Sequence, residues 1–198
     1  MAIFEKIRSA ERAKLLDEAG RKLEKLEFFV AGPYIDPATG EESVPNNKSS
    51  AHRLRHFLNR NLQDKGIVTY LGEDQTLREV GEKEYEEHNN AVLYERHYIM
   101  NHLDGVIVLP SSPGSFCEFG DWASDEATAK NTLVIIDQQY KEQHNYINDG
   151  VVKSARMNGA QVEYANYENK DEILGLSLKF VQSIAGKRRA RNLYGRHR

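Results

Sequence analysis

The sequence predicts an α/β fold, flavodoxin-like and doubly wound, on a five-stranded parallel sheet of order 2-1-3-4-5. Five short runs rich in β-branched or aromatic residues, at 28–31, 67–71, 105–109, 132–136 and 161–164, read more as continuous apolar runs than as strict alternations, as strands buried on both faces do. The segments between them are long enough for crossover helices. Alternating strands and helices with right-handed crossovers favour three layers and place ligands beyond the carboxyl ends of the strands, where the first and third strands diverge.

Each element has its own reason. A leading helix, about 3–26, carries Phe4, Ile7, Leu16, Ala19, Leu23 and Leu26 on one broad stripe. Helices are expected over 50–64, 84–102, 115–130 and about 145–157. In the second of these Tyr85, Val92, Ile99 and Leu103 fall near one face. Gly66 and Asn158-Gly159 stand just before strands, where a helix can end with positive φ. A closing helix is expected over 171–185. The chain thus divides into an N-terminal helix (1–27), one domain (28–186) and a basic tail (187–198).

Length and composition suit one core. The chain has 198 residues, 29% of them charged, and its net charge of −3 hides an asymmetry. No acid follows Glu172, whereas Lys187, Arg188, Arg189, Arg191, Arg196 and Arg198 crowd the tail; residues 1–186 hold 21 bases against 30 acids. The body would not attract nucleic acid by its general field, but the tail offers a contact for nucleic acid or an acidic protein. No long apolar run suggests a leader or a membrane span, and a cytoplasmic protein is expected. The single cysteine, Cys117, excludes an internal disulfide and is expected to be a small buried packing residue. His52 and His56 lack the pattern of a zinc site.

The most informative segment runs from Asp104 to Ala123. A strand leads into the small-residue loop Pro110-Ser111-Ser112-Pro113-Gly114-Ser115 and then into a helix, whose first N–H groups suit a phosphate or a sugar hydroxyl. Ser115-Phe-Cys-Glu118 fits a capping box, with Ser115 capping the helix and Glu118 reaching back to it. It fits equally a carboxylate at the crevice, acting as nucleophile or as stabiliser of an oxocarbenium-like state. Spacing leaves both open. Glu73 after the second strand and Glu95 on the third helix could point into the same crevice. Arg53 or Arg55 could meet a phosphate, or could lie on a solvated helical face. Trp122 is expected in the core. No G-x-G-x-x-G follows the first strand and no P-loop occurs, which removes the main support for dinucleotide dehydrogenases and P-loop enzymes.

Two segments together, Phe28-Phe-Val-Ala-Gly-Pro-Tyr34 and Asp104…Pro-Gly-Ser-Phe-Cys-Glu-Phe-Gly-Asp-Trp-Ala, resemble the nucleoside 2-deoxyribosyltransferase family and its nucleotide N-glycosidase relatives. The similarity covers about residues 28–165. The wording around Glu118 is closer to the deoxyribosyltransferase-like effectors of bacterial anti-phage systems, retron-associated toxins among them. The resemblance implies that Glu118 is the nucleophile at the anomeric carbon, and that Gly114 and Ser115 hold the sugar's 5′ end. It also implies that Gly32, Pro33 and Tyr34 close over sugar or base, that Asp104, Ser111 and Ser112 belong to the substrate-binding residues, and that Gly120 packs closely. Where the family often has an acidic base-recognition residue, this chain has Ser111 and Ser112, which favours water over a second base as acceptor.

The function expected is N-glycosidic cleavage, by an enzyme without cofactor or metal. Its partners would be a nucleoside, nucleotide or NAD-like small molecule, a second copy in a homo-oligomer, and a nucleic acid or acidic protein at the tail. The alternatives are a nucleotide-sensing module in which Glu118 is only a cap, and an effector subunit held silent by a partner.

Overall fold

A computed structural model describes residues 26–45 and 48–194, with side chains up to Arg191. Of the leading helix only Leu26 is among them, so that expectation, like Arg196 and Arg198 of the tail, lies outside the described residues. The strands are β1 (Glu27–Ala31), β2 (Val68–Tyr70), β3 (Gly105–Val108), β4 (Thr132–Asp137) and β5 (Gln161–Ala165). All pair in parallel, in the order β2-β1-β3-β4-β5.

Successive strand residues face opposite sides, and the two sides are two cores. Phe28, Val30, Ile107, Leu133 and Ile135 pack under helix α1 (Ser50–Asp64) and the closing helix. Phe29, Ala31, Val106, Val108, Val134 and Ile136 pack on the other side, under α2 (Gln75–Tyr85), α3 (Ala91–His102) and α4 (Pro113–Ala123). A short α5 (Glu126–Ala129), a π-turn (Ile147–Val152) and α6 (Lys153–Met157) complete that layer. The closing helix is α7, Lys170–Tyr194.

Three helices differ from expectation, each for a local reason. The segment 84–102 is cut by a 3-10 turn, Glu86–His88, entered at Glu86 with φ 46°, and Asn90 then caps α3 by accepting from the Leu93 N–H at 3.1 Å. The segment 115–130 is cut where the Asp125 carboxylate accepts from the Ala127 N–H and starts α5. The closing helix does not stop at 185. It continues through Lys187, Arg188, Arg189 and Arg191, so the first residues of the basic tail are helical.

Candidate active site at the carboxyl end of the sheet

β1 and β3 end side by side: Ala31 pairs with Val108, and the Leu109 N–H donates to the Ala31 carbonyl at 2.9 Å. From there the chain turns to α1 on one face and α4 on the other, which opens a crevice at the switch point. Gly32 lies in this gap. A Cβ there would stand 3.0 Å from Cδ of Arg55 and 3.3 Å from the Leu109 carbonyl oxygen, so a glycine leaves the lane through which Arg55 passes.

Arg55 is 2% exposed and does not lie on a solvated helical face. Its Nε and Nη2 donate to the Val30 carbonyl at 3.0 and 2.8 Å, and Nη1 donates to the Pro33 carbonyl at 2.8 Å. Nη1 and Nη2 also donate to the two oxygens of Glu73 at 2.6 and 2.9 Å. A guanidinium has five N–H donors, and all five are used. Glu73 is drawn into the same lock and accepts the Ile35 N–H at 3.3 Å, so it holds the β1 loop. A signal for Arg55 was present in the sequence: it stands in the stripe Ala51, Leu54, Leu58 and Leu62, all buried, where a solvated arginine has no place.

The capping expected of Ser115 and Glu118 is carried out one turn earlier. Ser112 is the N-cap, and its hydroxyl accepts from the Ser115 N–H in a box with Ser115 at N3. The Ser115 hydroxyl, 1% exposed, accepts from the N–H groups of Ser111 and Ser112 at 2.9 Å each and donates to the Ser112 carbonyl. Ser115 therefore shapes the loop, and its side chain is spent. Pro113 at N1 has no N–H, which leaves the N–H of exposed Gly114 as the first-turn donor with no partner among the described residues.

Freed from capping, Glu118 is a half-buried carboxylate whose Oε2 is shielded from solvent and has no hydrogen-bond partner among the described residues. The Ser111 hydroxyl is in the same condition. Burial pushes the Glu118 carboxyl above its ordinary range; Arg55 pulls it down and Glu73 pushes it up again. Glu95, 6% exposed, reaches in from α3, and its Oε1 would stand 2.6 Å from a Cβ on Gly72. Burial first, then the charges of Glu118 and Glu73, raise its pKa to about 8 against the pull of Arg55 and Arg78. Four elements thus bring three carboxyl groups and one saturated guanidinium together. Sequence alone did not single out Gly72, whose missing side chain admits Glu95.

Other expected residues fall elsewhere. Asp104 stands at the amino end of β3, the far edge of the sheet, where it accepts from the Glu27 N–H at 3.0 Å and from Arg188 Nη1 at 2.8 Å. It is a staple between sheet and α7 and does not reach the crevice. Cys117 is exposed, not packed. A Cβ on Gly120 would meet nothing within 4 Å, so Gly120 is not a close-packing position. Trp122 is core, edge-on to Phe29. Tyr34 is 69% exposed, beside a cavity of about 250 Å³ bounded by Ile35, Lys48, His52 and His56.

Residues 51–195, most of the chain and all the elements from α1 onward, match the model of the STM3845 retron effector protein family. The chain belongs to this family. The match takes in Arg55, Glu73, Glu95 and Glu118, whereas Gly32, Pro33 and Tyr34 precede it. The chain is also 30% identical over 116 residues to an Escherichia coli protein described as "Retron Ec86 putative ribosyltransferase/DNA-binding protein". That alignment covers 57% of this chain and 34% of the relative, so this chain spans about a third of the relative's length. Among the described residues no helix is long and apolar enough to cross a membrane.

Proposed function

We propose that this retron effector cleaves the N-glycosidic bond of a nucleoside, nucleotide or NAD-like substrate, as an enzyme of anti-phage defence. One observation carries the reading: Glu118 holds a shielded carboxylate oxygen with no partner in a crevice that already contains two more carboxyl groups. Leaving a buried charge unsatisfied is costly, and such costs are met where a ligand completes the set. The ribosyltransferase in the relative's description and the likeness to deoxyribosyltransferases point to the same chemistry.

In this mechanism the Glu118 carboxylate attacks C1′ as the C1′–N bond breaks, and the bonding pair leaves on the base nitrogen. Glu95, still protonated at neutral pH, gives its proton to the departing base. Its carboxylate then takes a proton from water, which attacks C1′, releases Glu118 and restores both groups. Arg55 stays out of the reaction, and its charge opposes the burial that pushes the Glu118 carboxyl up, favouring the ionised form that the attack needs. The Gly114 N–H and the Ser111 hydroxyl are the donors available to the sugar's 5′ side.

The test is chromatographic. The protein is incubated with a panel of nucleosides, nucleotides and NAD, and free base is measured with and without excess competing base. Base release is expected, with water as the acceptor, and Glu118→Gln should lower it by several orders of magnitude while the fold persists. Residual activity within about tenfold of wild type would remove Glu118 from the mechanism.

A further inference from the structure

At the amino-terminal edge of the sheet, away from Glu118, lies a concavity of about 310 Å³ into which Asn101, His102, Asn131, Lys187, Arg188 and Arg191 converge. Among the described residues three cations here face one acid, Asp104. Arg188 spends only Nη1 on it, leaving Nε and Nη2 without partners among the described residues. Lys187 reaches a single carbonyl, that of Lys130, at 3.3 Å, and Arg191 makes no hydrogen bond or ion pair among the described residues. Lys187 and Arg191 are one helical turn apart, about 6 Å along α7.

Cations in the last turns of a helix also offset its macrodipole. That accounts for their place on α7, but not for the side-chain amides and the imidazole that α3 and the β4 approach bring to meet them. The charge of the whole chain points the same way. Residues 1–172 carry a net −10 and the rest +7. A polyanion is repelled by most of the molecule and steered to this end.

The lining separates the classes of polyanion. Among the described residues only Leu103 and Ile184 of its lining are apolar, and no Trp, Tyr, Phe or Met lines it. Protein interfaces are anchored by such buried groups, whereas nucleic-acid interfaces are polar and basic, with arginine, lysine and amide side chains on phosphate oxygens. We propose that this basic concavity docks the phosphate backbone of a nucleic acid, at the opposite edge of the sheet from the Glu118 crevice.

The test uses the full chain and fluorescence anisotropy with labelled mixed-sequence single-stranded DNA, duplex DNA and RNA. Binding is expected to be indifferent to sequence, and to weaken with salt at a slope of about −2 to −3 in log–log form, the value for roughly three neutralised phosphates. The double variant Lys187→Glu/Arg191→Glu should lose at least tenfold in affinity with an unchanged circular dichroism spectrum. Lys83→Glu/Lys141→Glu, the same charge change on exposed residues elsewhere, and Glu118→Gln should both bind as wild type does. Equal affinity of the Lys187/Arg191 variant and wild type would overturn the proposal. So would tighter capture of a poly-glutamate chain of matched charge than of any nucleic acid. Because Glu118→Gln enters only as a control, this outcome does not depend on whether base release is found.

Discussion

Glu95 is where burial and function make the sharpest demand on a single side chain. An ordinary glutamate titrates near 4.3, and in the folded protein Glu95 holds its proton up to about 8. Between those two values the native state binds a proton that the unfolded chain has released, so stability falls as pH rises through the window. Glu95→Gln removes the titration. Its denaturation midpoint should fall far less from pH 5 to 9 than that of wild type, and at pH 8.5 the variant should exceed wild type by an amount on the order of 4 kcal/mol. The same proton serves catalysis, so base release by wild type should decline above about pH 8, and Glu95→Gln should lose the reaction while gaining stability. Urea titrations at several pH values check the first part, and a pH–rate profile the second. A variant that loses activity with unchanged pH dependence of stability would show Glu95 to be ionised in the fold.

At the scale of the element, α4 shows how a local pattern can be right in kind and wrong in register. S-x-x-E at Ser115 and S-x-x-S at Ser112 are both capping patterns; Pro113 decides between them, since its fixed φ and missing N–H suit N1 and set the cap at Ser112. The two serines should therefore differ on mutation. Ser112→Ala loses one cap bond and should cost about 1 kcal/mol. Ser115→Ala strands two loop N–H groups in a buried setting and should cost about 2–3 kcal/mol, a ranking that thermal denaturation would read directly. The strands were legible because continuous apolar runs have few alternatives, and α1 was legible to the residue because its stripe is unbroken. The break at Glu86–His88 was not, since Asn89-Asn90 marks it only through a side-chain cap that competes weakly with a helical pattern on both sides. Of the site, Glu118, Glu95 and Glu73 could be named from sequence. Arg55 as a saturated lock could not, because which carbonyls it meets is a property of the β1 loop's path. Asp104 was misplaced because it was taken in with the motif that follows it, although its position just ahead of the strand puts it at the amino end, opposite the crevice.

The site is also a property of the whole molecule, since it is assembled by unequally stable parts. β1, β3 and β4 are paired on both sides and their core residues are 0–2% exposed, whereas β2 is a three-residue edge strand with Val68 41% exposed. Local opening should follow that gradient, because a short edge strand gives up few buried contacts when it leaves. Glu73 is the third residue after β2, and Gly72, which makes room for Glu95, lies between them. Opening of the β2–α2 side therefore unlocks Arg55 and scatters the three carboxyl groups, while the sheet of β1, β3, β4 and β5 stays intact. Native-state hydrogen exchange should show the amides of β2 and the first turn of α2 exchanging through a low-energy local opening, and those of Val106–Val108 and Leu133–Ile136 only through global unfolding. Base release should accordingly be lost at a urea concentration below the midpoint of the main circular dichroism transition. If β2 proves as protected as β3, and activity and ellipticity are lost together, then the crevice belongs to the same cooperative unit as the central strands and the lock at Arg55 is as stable as the fold.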